Sequence, residues 1–440
     1  MEVIRMPLTD QVLPVPNIRT RTFFIVRECL DDTALRNALT RLIRDHWRKL
    51  GARIFSSGKS GLLEYRLPRT FADSYELFVW SSAEYDHSID KVLSPLKPRD
   101  QGVTFMPSMT EVEGWFCPSS WARHMSETSS DSPMLHVHLS HFSNATVLAL
   151  NVPHVLGDQL GTANLMKAWL GLVEGREPPP MAGYDEDILP GQKPYADVID
   201  RKESRKGKLH IRRPLEYAFV ILPFMPEFLF RKEVQHIVFF PLPLIQSLRE
   251  KHARILAETH KDFTRISDGD ILTAILTKFH RMHDKKIRTI SLSQTVNLRG
   301  RVSRLSGPDS DGYIHNALHF ASARFRIGSS TSLGEIAWRN RQAIDEALQE
   351  SEIEAGLTVA RELVRRGQNM HICEPFERSY SIISWCTAWR DSGEPKTPRR
   401  YATTIMTKSD EGYWCDFSAS EKAMKLIHEY LAKDPLLERF

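Results

Sequence analysis

The chain has 440 residues, too many for a single ordinary core at roughly 100–200 residues per domain, so two folding units are expected. Hydrophobic residues make up 41% and charged residues 26%, a balance that excludes a disordered or fibrous chain and supplies a sizeable core. The formal charge of +4 comes without a basic block dense enough to hold nucleic acid, and suits an anionic small ligand as well as any other partner.

Five scattered cysteines (Cys29, Cys117, Cys373, Cys386, Cys415) form no CxxC pair, which argues against a disulfide framework or a zinc site and for a reducing, cytoplasmic setting. The opening MEVIRMPLTDQVLP lacks the apolar core of a secretory signal and reads as mature sequence. TRTFFIVREC (20–29) reads as a strand, and residues 31–50 as an amphipathic helix with Leu35, Leu39, Leu42 and Ile43 on one side. RIFSSGKSGLLEYRLP (53–68) reads as a hairpin turning at SSGKSG. Its GKS is no phosphate loop, because Arg53 stands where that motif needs glycine.

MLHVHLSHFSNATVLALNVP (134–153) reads as a second hairpin, followed by a helix through Leu165, Met166, Trp169, Leu170 and Val173. His136, His138 and His141 lie together on its first strand, with no carboxylate or cysteine nearby to complete a metal site, and no metal is expected. Residues 174–235 break the pattern with repeated prolines and the basic run RKESRKGKLHIRR (201–213), which could attract coenzyme phosphates or be a solvated linker. The apolar stretch 214–230 carries three prolines and two glutamates, too interrupted to span a membrane; it reads as a buried loop, with a peripheral membrane contact as the alternative. Strand and helix signals resume at 236–252, at 267–283 with Ser267 or Asp268 as N-cap, and at 332–348. A last helix is expected from Ser418, with Glu421 three residues on.

The strongest local feature is NVPHVLGDQLG, where an apolar strand ends in Pro153 and His154 and Asp158 follows four residues later. A strand-to-helix loop is a rigid mount for a catalytic group, and an imidazole can take and return a proton within one cycle at neutral pH. Gly157 and Gly161 allow close backbone approach. With 17 histidines present, the spacing alone carries little weight. No GxSxG elbow or GxGxxG fingerprint supports a serine hydrolase or a dinucleotide enzyme.

Four segments in order, LTDQVLP, HVLGDQLG (154–161), TVNLRGRV (295–302) with GYIHNAL (312–318), and ISWCTAWRDSGEPK (383–396), resemble the HxxxD or BAHD acyltransferases, especially fungal members that acylate secondary metabolites. The resemblance implies a mixed αβ fold of two chloramphenicol-acetyltransferase-like domains, 1–175 and 236–440, joined by a long crossover at 176–235, with a channel between them. It implies a monomer without tightly bound cofactor, using acyl-coenzyme A as co-substrate and a small-molecule alcohol as acceptor. By the same resemblance His154 is the general base, Asp158 pairs with Arg299, and the Trp385 indole is a candidate oxyanion donor or else a core aromatic. Ser384, Asn316 and Gly157 line the channel, Asn316 alternatively satisfying backbone groups at a strand end.

The family's DFGWG segment appears here as Asp391-Ser392-Gly393-Glu394-Pro395, keeping Asp391 and Gly393 and losing both aromatics. Gln159 and Ile383 replace a usual glycine and a usual hydroxyl residue. Two rivals follow: a carrier-protein-dependent condensation-type enzyme, whose doubled histidine is replaced here by Pro153, and a non-catalytic binding protein on the same fold.

Overall fold

The computed structural model describes residues 1–58, 61–99, 101–199, 205–222, 225, 232–386, 388, 395–396 and 402–440. Asp391 and Gly393 lie outside them.

Among the described residues, three sheets organise the chain. A five-stranded sheet runs in the order Pro395–Lys396, Arg19–Val26, Ala145–Pro153, His136–Phe142, Val79–Glu84. A seven-stranded sheet runs Leu318–Ile327, Arg288–Asn297, Arg378–Ser384, Ala402–Lys408, Gly412–Ser420, Glu233–Pro241, Thr104–Met106. A small third sheet pairs Glu2–Arg5 with the predicted hairpin, observed as Arg53–Ser56 against Leu63–Leu67. Each large sheet borrows a strand: Thr104–Met106 crosses from the first half into the second sheet, and Pro395–Lys396 crosses back to pair with Arg21 and Thr22.

The strand Ala145–Pro153 is buried at all nine positions, and its sequence shows why. Successive side chains point to opposite faces of a sheet. Leu148, Leu150 and Val152 enter one apolar cluster with Leu39, Leu42, Leu165, Met166 and Trp169 of the covering helices. Ala145, Val147 and Ala149 enter another, shared with Ile237, Phe239 and Met406 of the seven-stranded sheet. A strand covered on both faces has to be apolar throughout. The far face of the larger sheet is covered by the helices Leu242–Thr259, Asp268–Arg281, Leu333–Ala347 and Glu421–Leu431, whose stripes close a third cluster. The molecule is therefore layered helix, sheet, sheet, helix, a mixed αβ arrangement of two domains, with no helix among the described residues long and apolar enough to cross a membrane.

Three expectations change. The helix expected over 31–50 is α-helical only at Asp32–Arg41; a π turn and a 3-10 turn follow, and they bury Trp47, Lys49 and Leu50. The last helix is capped by Ser420 rather than Ser418, because Gly412–Ser420 stays in register with Glu233–Pro241 to its last residue. A helix at Glu350–Arg365 was not anticipated. Of the interrupted stretch 214–230, Pro214–Ile221 is helical with only Val220 buried.

Candidate active site

The buried strand Ala145–Pro153 ends by pairing Pro153 with Arg19, and one more rung follows: the His154 N–H donates to the Ile18 carbonyl at 2.9 Å. His154 is thus carried on the sheet's own ladder while the residue as a whole remains partly exposed, with its Nδ1 buried. The next residues turn tightly, with Leu156 N–H donating to Pro153 O at 2.9 Å, and Asp158 opens the helix Gln159–Val173 as its N-cap, accepting from Gly161 N–H at 2.8 Å.

The second oxygen of Asp158 reaches another part of the chain. It accepts from the Arg299 guanidinium at 2.9 Å and from Ala317 N–H at 2.9 Å, in a setting where the two side chains are 4% and 6% exposed. Arg299 in turn donates to His315 O at 2.6 Å and lies over the Tyr313 ring. Such a pair keeps its charges buried because both Asp158 oxygens and both terminal guanidinium nitrogens of Arg299 find partners.

The tripeptide His315-Asn316-Ala317 works as a clamp on both ends of the histidine loop. Ala317 holds Asp158, as above, and the Asn316 side-chain amide donates to the His154 carbonyl at 2.9 Å. Asn316 therefore satisfies main-chain groups and touches the loop that carries His154 through its backbone. The clamp can lie this close because one residue of the loop, Gly157, and one in the first turn of the helix, Gly161, lack a side chain. A methyl placed on Gly157 or on Gly161 would stand 1.8 Å from the Ile314 carbonyl oxygen in either case.

Trp385 is buried in the same apolar cluster as Val155, Leu156 and Ile314, its main-chain N–H donating to Ile405 O at 2.8 Å. Ser384 is the last residue of its strand, half-buried and paired with Ile405. His136, His138 and His141 take separate partners, Ser132, Ser81 and Asp32, and do not converge.

The basic run behaves differently from the expectation of a phosphate attractor. Arg205 pairs with Glu352, Lys208 with Glu346 and Glu352, and Arg212 with Glu216, so much of its charge is answered within the chain. A separate cavity of about 590 Å³, lined by Lys206, His210, Arg213, Glu216, Arg324 and Glu374 among others, includes none of the residues named around His154. Its His210, Glu216 and Glu374 have the spacing of a cation site, but Arg212 lies 3.1 Å from Glu216 and 3.6 Å from Glu374 and already supplies positive charge.

Sequence reasoning missed Asp10, Lys49 and His315, which are 0%, 1% and 0% exposed and lie directly behind Asn316. Asp10 Oδ1 accepts from the Asn316 N–H at 3.1 Å and from its side-chain amide at 3.0 Å. Asp10 and His315 lay within the segments LTDQVLP and GYIHNAL but carried no assigned role. Lys49 gave no signal, since a lysine in WRKLG reads as a solvated face.

No family model matches the chain. An acetyltransferase of Penicillium rubens, adrJ, is 27% identical over 345 residues, covering 74% of this chain and 68% of the relative. The acetyltransferase BOT5 of Botryotinia fuckeliana is 26% identical over 413 residues, 88% of this chain and 73% of the relative. The crystal structure of F. sporotrichioides TRI101, complexed with coenzyme A and T-2, superposes with a TM-score of 0.71 at 14% identity over 97% of this chain and 96% of that one. The chain is similar to fungal acetyltransferases in sequence and to TRI101 in fold. The loop between the buried strand and the helix Gln159–Val173 carries His154 and, four residues on, Asp158, which faces Arg299.

Proposed function

We propose that this BAHD-type enzyme transfers an acyl group from coenzyme A to a hydroxyl of a small hydrophobic natural product, with His154 as general base. The observation that carries the reading is the mounting of His154: main chain fixed by Ile18 and Asn316, the residue partly exposed, inside a motif closed by the Asp158–Arg299 pair. Fixed backbone and accessible imidazole are what general-base work needs.

In this reading the imidazole takes the proton of the acceptor hydroxyl as its oxygen forms a bond to the thioester carbonyl carbon. The tetrahedral oxyanion is met by a preorganised donor, for which the Trp385 indole is the candidate. The carbon–sulfur bond then breaks and the leaving thiolate recovers the proton from the imidazolium, so the enzyme forms no covalent intermediate. Asp158 and Arg299 hold the loop and move no proton. Residues 1–175 and 236–440 would form the walls of the channel, with 176–235 crossing between them and Gly157, Ser384 and Asn316 lining it.

The test is incubation of purified protein with acetyl- and longer acyl-coenzyme A and a panel of alcohols, reading ester by mass spectrometry and free thiol by colour. His154→Ala is expected to lower turnover by roughly 10²–10⁴-fold with an unchanged melting curve. Wild-type turnover in that variant would remove His154 from the mechanism. Product formed only from a carrier-protein thioester would favour the condensation-type rival.

A further inference from the structure

Behind the clamp lies a row of three titratable side chains that the acyl-transfer chemistry does not use. Lys49 Nζ is 2.9 Å from His315 Nε2 and donates to the Gly183 carbonyl at 2.7 Å. On the other side of the ring, His315 Nδ1 stands 3.1 Å from Asp10 Oδ2. Asp10 then grips Asn316 twice, and Asn316 holds the His154 carbonyl. Three ionisable groups are thus lined up in a dry interior, ending on the main chain of the histidine.

The charge balance of the row follows from its surroundings. An ammonium at Lys49 leaves His315 Nε2 as an acceptor and puts the ring proton on Nδ1, which lies 3.1 Å from Asp10 Oδ2 without the alignment of a hydrogen bond, so the ring is neutral between opposite charges. The Tyr65 and Tyr184 rings flank the ammonium at 5.6 and 5.3 Å, and Asp185 and Asp187 add negative potential from the segment beside Gly183. Burial pulls Lys49 down to about 7, opposed by Asp10 and Asp185, and pushes Asp10 well up and His315 well down. All three directions penalise an isolated charge and favour a row that is neutral as a whole.

We propose that Asp10, His315 and Lys49 are one charge-balanced positioning unit that presets the main chain of His154 through Asn316. The inference rests on His154 being the base, and it adds that removing one charge from the row loosens the histidine loop while removing both does not. A plain packing role predicts the opposite order, because two lost side chains leave a larger defect than one.

The experiment compares Asp10→Asn, Lys49→Met and the double variant in the full chain. Amide hydrogen exchange is read over residues 152–158, with the helix Asp268–Arg281 as internal reference. Each single variant is expected to exchange roughly tenfold faster at 152–158, and the double variant to return to within about threefold of wild type. Turnover in the alcohol panel should follow the same order, in kcat rather than in KM for acetyl-coenzyme A. Unchanged exchange in the single variants, or a double variant worse than either, overturns the proposal. If neither single variant folds and the double does, the charge coupling is upheld. If all three fail, Asn316→Ser leaves the three titratable groups in place and cuts the side-chain links from Asp10 and to His154, and unchanged exchange there overturns the proposal. Turnover retained in His154→Ala would remove the base role while the exchange data still decide the positioning, so the two failures are distinguishable.

Discussion

Two helices of this protein begin with a similar device, a buried carboxylate at the N-terminal end, as N-cap in one and in the first turn in the other, answered by an arginine from elsewhere in the chain. At the helix Asp268–Arg281, Asp270 joins a capping box with Ser267 and accepts from Arg341 at 2.7 and 2.9 Å and from Asn340 at 2.8 Å. At the helix Gln159–Val173, Asp158 accepts from Gly161, Arg299 and Ala317. Asp270 ties one helix to another. Asp158 ties a helix to a loop whose next residues hold the His154 main chain. The same pair of charges therefore serves packing in one place and the geometry of a reactive group in the other, and the difference lies in what the remaining lone pairs are given to hold.

The largest expected effect separates these roles. Asp158→Ala and Asp270→Ala each leave an arginine without its buried partner, and each is expected to cost about 3–5 kcal/mol in denaturant unfolding. Assayed well below the melting transition, Asp270→Ala should keep turnover near wild type, whereas Asp158→Ala should lose about 10²-fold, because the clamp no longer fixes the loop. Equal turnover in the two variants would show that Asp158 is merely a second Asp270.

How much of this was legible in the sequence differs between the two pairs. The cap at Ser267 follows from a polar residue before an apolar-periodic run, a local pattern, and so does the strand that delivers His154. The partners are not local: Arg341 lies 71 residues from Asp270, and Arg299 lies 141 residues from Asp158. Arg299 was assigned beforehand only through the family resemblance of VNLRGR, and no periodicity would have found it. Lys49 was hidden for a further reason. Residues 42–51 leave the α-helical period, so the face on which a helical wheel puts Lys49 is not the face it takes. Arg19–Val26, His136–Phe142, Ala145–Pro153 and Glu233–Pro241 were visible as strands, whereas Val79–Glu84 and most of the seven-stranded sheet were not read, and the exchanged strands Thr104–Met106 and Pro395–Lys396 are too short to carry a pattern.

Acid sharpens the comparison. His319, two residues beyond Ala317, is held down to about 4, chiefly by burial and then by Arg205 and Lys208. Its ordinary value is near 6.5, so the unfolded chain binds a proton that the folded chain refuses. The stabilisation is complete above about pH 6.5 and is lost as pH falls toward 4, by about 3 kcal/mol for this one group. Because His319 continues the strand that begins at the clamp, protection at 154–158, taken relative to the intrinsic exchange rate at each pH, should fall with acid before protection in the helix Asp268–Arg281 does. His319→Gln should flatten the dependence of the melting temperature between pH 7 and pH 5; an unchanged slope would assign the acid sensitivity elsewhere.

The smallest effects come from a matched pair of glycines. Gly161 and Gly269 both sit in the first turn of their helices, and neither has a positive φ, so alanine is conformationally allowed at each. At Gly161 the new methyl would stand 1.8 Å from the Ile314 carbonyl, and main chain cannot give way cheaply; Gly161→Ala should cost roughly 1–3 kcal/mol and loosen the clamp. At Gly269 the nearest atom is Ser267 Oγ at 3.6 Å, an ordinary contact. Gly269→Ala should therefore be neutral or stabilise by up to about 1 kcal/mol, since alanine restricts the unfolded chain more than glycine does. Thermal melts of the two variants side by side isolate the close approach from helix propensity, because propensity alone would stabilise both. Only a backbone packed against residue 161 can make their signs differ.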